Sequence, residues 1–201
     1  MFNFTDDLNT LIQAVKFQVC QRETQLEQLL VYRFGFIRVP FYNDRLKDGW
    51  ALNIWTENLP RDEYPHTHTF DLSSYVLHGG LKNMNWTINE TPQGDFRLIS
   101  PIITGAHCED EDTNRFCTVA KISETFVSRG QHYEVANGVF HTTQITSYPT
   151  ITLIRRENVR PSQRANHLVP LCQAEPTRKF DYGARDNAAI WREVHTALAL
   201  L

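Results

Sequence analysis

Apolar positions change their period twice along this chain. Leu8, Leu11, Ile12, Val15 and Val19 recur at helical spacing, and Leu26, Leu29 and Leu30 continue the stripe beyond the polar segment 21–25. The spacing predicts one long helix, or two short ones, over residues 5–31, with Thr5 as N-cap and Asp6 and Asp7 in the first turn, where carboxylates oppose the helix dipole. From Gly35 to about residue 170 the apolar runs become short, rich in Val, Ile, Thr, Phe, Tyr and Trp, and divided by turn residues. That pattern predicts strands at 36–39, 50–56, 66–70, 73–78, 81–88, 96–99, 118–127, 132–135, 139–145 and 151–155, with Gly79-Gly80 as a turn. Helical spacing returns with Ile190, Trp191, Val194 and Leu198, predicting a short C-terminal helix over 187–200. The fold class expected is all-β dominated: a β-barrel or jelly roll over 36–160, which leaves few bare strand edges, carrying helical additions at both ends of one domain. The apolar stripe of the first helix is expected to cover the outside of the sheet or a second protomer, the latter making a homodimer.

Charge narrows the function classes. The 201 residues carry a formal net charge of −3 with both signs interspersed, so no nucleic-acid partner is expected. The N-terminal residues are acidic where a secretory signal would be basic, and no apolar run approaches the ~18 residues that span a bilayer. A cytoplasmic protein without a membrane partner is the expectation. Cys20, Cys108, Cys117 and Cys172 lack a CxxC spacing and are read as free thiols, with a Cys108–Cys117 bridge as the one pairing open on oxidation. The acidic stretch between these two lies in 104–116, which is poor in strand formers and predicted as a mobile surface loop.

The chemistry concentrates in two stretches. In Pro65-His66-Thr67-His68-Thr69-Phe70-Asp71, two histidines at i and i+2 on an extended segment share one face, which is half of a metal site. Seventy residues later an Asn137-Gly138 hairpin turn sets the register of the strand bearing His141. If His141 faces the interior, it meets His66 and His68 as a third ligand. The remaining histidines, His78, His107, His132, His167 and His195, are read as structural or surface groups.

Together these stretches resemble the cupin superfamily over roughly residues 50–156. Its first motif sets H-x-H before a strand ending V-L-x-G, matched by His66-Thr67-His68 and Val76-Leu77-His78-Gly79; its second, G-x5-P-x-G-x2-H, is matched by Gly130, Gly138 and His141, with Ala136 at the proline. The resemblance implies a cupin-type barrel and a metal held by His66, His68 and His141. It departs at Leu72, where the family's glutamate ligand stands. Asp71 is adjacent, and two readings follow: a carboxylate ligand, or a group that orients one of three histidine ligands. The second is expected, since neighbours on a strand point to opposite faces.

Three histidines with open positions suit Fe(II), while Zn, Ni or Mn accept the same donors. Among cupins this set resembles thiol dioxygenases such as cysteine dioxygenase, which place a tyrosine on the strand after the third histidine; here that strand, 150–156, has none, so the resemblance does not extend to the substrate. The reading is a mononuclear non-haem Fe(II) dioxygenase taking a small polar metabolite and O2. Asp71 and Tyr75 are the candidate catalytic residues, and Arg155, Arg156, Ser74 and Thr143 the candidate substrate contacts, the arginines for a carboxylate and the hydroxyls by strand parity. A non-redox metal-dependent isomerase, lyase or hydrolase, and a non-enzymatic metabolite-binding barrel, are the alternatives.

Overall fold

A computed structural model describes residues 2, 6–24, 29–41, 47–59, 61–104, 107–173, 179–181 and 186–201. The first helix, α1, runs Leu8–Thr24. Asp7 caps it: its Oδ1 accepts from the amides of Asn9 at 3.0 Å and Thr10 at 3.1 Å, which satisfies donors that have no partner within the helix. Thr5 and Leu26 lie outside the described residues. The expected continuation of the helix to residue 31 does not occur, because Leu30–Tyr32 form a strand, β1, that folds back antiparallel onto β2 (Phe36–Pro40). Gly35, at φ 78°, makes the corner, a backbone conformation that favours glycine over β-branched Val31 and the aromatic residues around it.

The remaining strands are β3 (Gly49–Trp55), β4 (Asp71–Glu90), β5 (Phe96–Thr104), β6 (His107–Ser128), β7 (His132–Val135), β8 (Phe140–Glu157), β9 (His167–Pro170) and β10 (Lys179–Asp181). A 3-10 turn, Leu171–Gln173, follows β9, and helix α2 spans Asn187–Leu198, capped by the Asp186 carboxylate on the Ala188 amide at 3.0 Å. The strands make one antiparallel sheet in the order β1-β2-β3-β8-β4-β6-β5-β9, with β7 on β4 and β10 on β6. It curls into a half-barrel, the β-dominated architecture with two helices that the pattern predicts. No helix among the described residues is long and apolar enough to cross a membrane.

Three local expectations change. Gly79-Gly80 is not a turn: β4 runs straight through it, absorbing register shifts between Val76 and Leu81. Gly79 sits at φ 75°, and a Cβ there would fall 2.5 Å from Thr150 Oγ1, so the pair is a bulge pressed against β8. The acidic stretch predicted as a loop is the first half of β6, paired with β5 from Phe96↔Cys117 to Thr104↔His107 across one register shift between Leu98 and Ile99. Backbone pairing there outweighs low strand propensity, since side chains such as Glu111 face water while Asp110 is buried in an ion pair. Finally, 66–70 is not a strand but an irregular segment with a two-sided rung at His66, between His141 and His167.

That rung matters to the site. His66 exchanges both backbone hydrogen bonds with His141 at 2.9 Å each, while Thr67 N donates to Asn166 O and Leu168 N to Pro65 O on its other side. The 65–67 segment therefore bridges the start of β8 to β9 and draws the curl together. One core packs α1 and α2 against the outer face of the sheet through Leu11, Val15, Leu52, Leu77, Leu153 and Trp191. A second, with Phe70, Leu72, Val76, Tyr133 and Ile154, fills the concave face.

Candidate metal centre

His66, His68 and His141 each present a ring nitrogen, all three within 4.8 Å of one another. The backbone sets this up. His66 and His141 are partners across one rung and so share a face, and His68 follows two residues on in the irregular segment. The 136–139 turn then fixes His68: the Asn137 side chain and the Gly138 amide both donate to the His68 carbonyl, at 3.0 and 3.2 Å.

Two of the rings are held from behind. His141 Nδ1 donates to Asn83 Oδ1 at 2.9 Å, and His66 Nδ1 lies 3.2 Å from the Tyr64 carbonyl. Donation from Nδ1 leaves the Nε2 lone pair facing inward, the tautomer that a metal ligand needs. His68 Nε2 stands 2.9 Å from His141 Nε2. A spacing this short places one shared proton or one cation between the two nitrogens, and three converging imidazole nitrogens are a donor set that fits a metal ion. Burial lowers the pKa of all three, His66 to about 4. For His68 the charges of His141, His66, Arg38 and Arg156 add to that effect. Neutral imidazoles are the state in which these rings coordinate metals.

A cavity of about 350 Å³ opens over the histidines, walled by Phe36, Trp55, Phe70, Tyr133 and Ile154 among others. Arg156, only 4% exposed, reaches it from β8 with its guanidinium 4.7 Å from the Phe70 ring. Arg38 on β2 lies in the same wall; its Nε donates to Asn53 Oδ1 at 2.8 Å, and it stacks over Tyr32 and Phe36. Among the described residues no carboxylate pairs with Arg38. Thr143 is also at the wall, and the buried Tyr133 hydroxyl faces those of Thr143 and Ser74, burial raising its pKa.

Other sequence-selected residues lie elsewhere. Arg155 alternates to the outer face, exposed and bonded to Glu157 at 2.7 Å. Tyr75 pairs with Leu153 and is buried in the core under the helices, away from the cavity. Ser74 is fully buried and is not part of the cavity wall. Asp71 holds the 136–139 turn: it accepts from Asn137 N at 2.7 Å and Asn158 Nδ2 at 2.8 Å, and these bonds keep its carboxyl below the usual range. It is not in the group of converging ligand atoms. Cys20, Cys117 and Cys172 are free thiols; the Cys108 and His107 side chains lie outside the described set.

Sequence reasoning missed Arg38, Asn83, Tyr133 and the group around His167. Parity could have found Asn83, which sits two residues from Asn85, the cross-strand partner of His141. His167, 2% exposed, is paired through its backbone with His66, and its Nε2 lies 3.4 Å from Asp110 Oδ2. Arg33 joins this group, with Nη1 2.7 Å from Asp110 and Nε 2.8 Å from Asp62.

No protein-family model and no curated protein matches the chain. Solved structures match weakly. Hydroquinone 1,2-dioxygenase PnpCD, solved with Cd2+ and 4-hydroxybenzonitrile, aligns at TM-score 0.33 and 11% identity over 65% of this chain and 67% of that one. The coconut allergen cocosin aligns at TM-score 0.36 and 10% identity, and procruciferin, an 11S globulin from Brassica napus, at 0.35 and 10%; the matches cover 83% and 80% of this chain. The chain spans 40% and 38% of those two proteins. At this level of similarity the neighbours bear on neither activity nor ligand, and the functional reading rests on the histidines themselves.

Proposed function

We propose that this protein is a metal-dependent enzyme of cupin type, an oxygenase that holds a mononuclear non-haem Fe(II) with His66, His68 and His141 and acts with O2 on a small metabolite bearing an acidic group. The observation that carries the reading is the convergence of three neutral imidazoles, two tied through Nδ1 so that Nε2 faces inward. Bound there, Fe(II) would supply redox chemistry and coordination positions left open by the protein.

The chain's own residues do the rest. Asn83 and the Tyr64 carbonyl fix two tautomers and ring orientations. Arg38 and Arg156 present guanidiniums to the cavity, where, among the described residues, Arg38 meets only a neutral amide and ring faces. A buried cation so placed favours an anionic ligand, and a guanidinium matches a carboxylate bidentately. Phe36, Trp55, Phe70 and Ile154 keep the space between them apolar, which excludes water and strengthens that pairing. Tyr133 and Thr143 add hydroxyl-bearing side chains to the same wall.

The test is elemental analysis of the purified protein together with oxygen uptake across small carboxylic acids and their matching amides. Iron at one per chain, and uptake with an acid but not its amide, supports the reading. Turnover with Zn(II) in the absence of O2 selects a Lewis-acid isomerase, lyase or hydrolase instead, and a protein that takes up no metal selects a metabolite-binding barrel.

A further inference from the structure

We infer that Arg33, which touches none of the three histidines, is the positioning residue that holds His66 at the metal centre. The inference rests on the three-histidine reading. His68 is fixed by the 136–139 turn and His141 lies on β8, but His66 sits on an irregular segment tied by isolated rungs, to His141 on one side and to His167 on the other. Its placement therefore depends on what anchors those rung partners and the residues just before it. Arg33, 3% exposed, does this from the β1–β2 corner: its carbonyl accepts from Asp62 N at 2.8 Å, and its Nε bonds Asp62 Oδ2.

Through Nη1 the same guanidinium bonds Asp110 on β6, and Asp110 in turn faces His167, the other rung partner of His66. One planar, five-donor group thus joins the segment before His66 to the strands behind it, a task that the single ammonium of lysine cannot fully reproduce. The adjacent Phe34 ring stacks on the His66 imidazole with centroids 4.0 Å apart and planes 17° apart, so a shift of the corner moves the ligand directly.

The experiment uses the full chain loaded with Co(II), whose visible spectrum reports ligand number and geometry. Arg33→Met should weaken Co(II) affinity by about 10- to 100-fold, the usual cost of losing a group that orients a ligand. Its spectrum should move toward that of His66→Ala, and Arg33→Lys should restore part of both. Arg115→Met, which breaks an exposed ion pair with Glu90, should change neither.

Removing Arg33 alone takes the guanidinium away from Asp62 and from the buried Asp110 and threatens folding. The neutral triple variant Arg33→Met, Asp62→Asn, Asp110→Asn avoids this, and it too should bind Co(II) weakly while melting cooperatively. Co(II) affinity and spectrum equal to wild type in the folded triple variant would overturn the role of Arg33 and leave the metal reading intact. A wild-type protein that takes up no Co(II) would overturn both.

Discussion

Replacing Asn83 with Leu removes the acceptor behind His141 while keeping the number of side-chain heavy atoms. Asn83 Oδ1 receives the His141 Nδ1 proton at 2.9 Å, and the two residues are 4% and 2% exposed, so no water replaces the lost partner. The amide is itself oriented: Asn83 Nδ2 donates to Asn85 Oδ1 at 3.2 Å, and Asn85 Nδ2 to Ser123 Oγ at 3.1 Å. A buried N–H left without an acceptor costs about 1–3 kcal/mol. For a chain of this size that lowers the melting temperature by roughly 2–4 °C per kcal/mol. Freed of its tether, the ring also loses the tautomer that turns Nε2 inward, and metal affinity should fall about 10- to 100-fold. Calorimetric melting of the metal-free protein reads the first effect and competition titration with Co(II) the second. Asn83→Asp, which still accepts from Nδ1, should retain most of the affinity. An Asn83→Leu variant that melts with wild type and binds Co(II) equally would refute the claim that Asn83 orients His141.

Further expectations concern acid and the turn. His66 is held near about 4 against an ordinary 6.5, so between those values the unfolded chain binds protons that the folded chain refuses. Stability of the metal-free protein should therefore be full above about pH 6.5 and fall as pH drops toward 4, by on the order of 3 kcal/mol for His66 alone. Urea titrations across that range check it, and His66→Gln should flatten the slope. Asp71→Ala should cost about 1 kcal/mol in the same assay by freeing Asn137. It should leave the metal in place; complete metal loss would instead mean that Asp71 reaches the metal.

Much of this arrangement was legible in the pattern of residues, and the failures have physical causes. The His66, His68 and His141 grouping was legible from the motif spacing, but not by the local rules expected: 66–70 is not a strand, and the Asn137-Gly138 turn joins two strands that each pair with β4 and not with one another. The N-terminal stripe located α1, but its extension through Leu30 failed because Val31 and Tyr32 gain cross-strand partners in β2. The acidic first half of β6 looked like a loop because Asp110 is a poor strand former unless a distant Arg33 neutralises it. Arg38 and Asn83 escaped notice for the same reason: each matters through a contact far along the chain, 15 residues to Asn53 and 58 to His141. Parity also sorted Arg155 from Arg156 only once the register of β8 against β3 and β4 was known.

The most direct test of the metal centre is metal content per chain in the wild type and in His66→Ala, His68→Ala and His141→Ala, each purified from iron-supplemented cells and checked for folding by circular dichroism. The three-histidine assignment requires about one iron in the wild type and loss of most of it in every single variant. Full iron occupancy in a folded His141→Ala protein would contradict it.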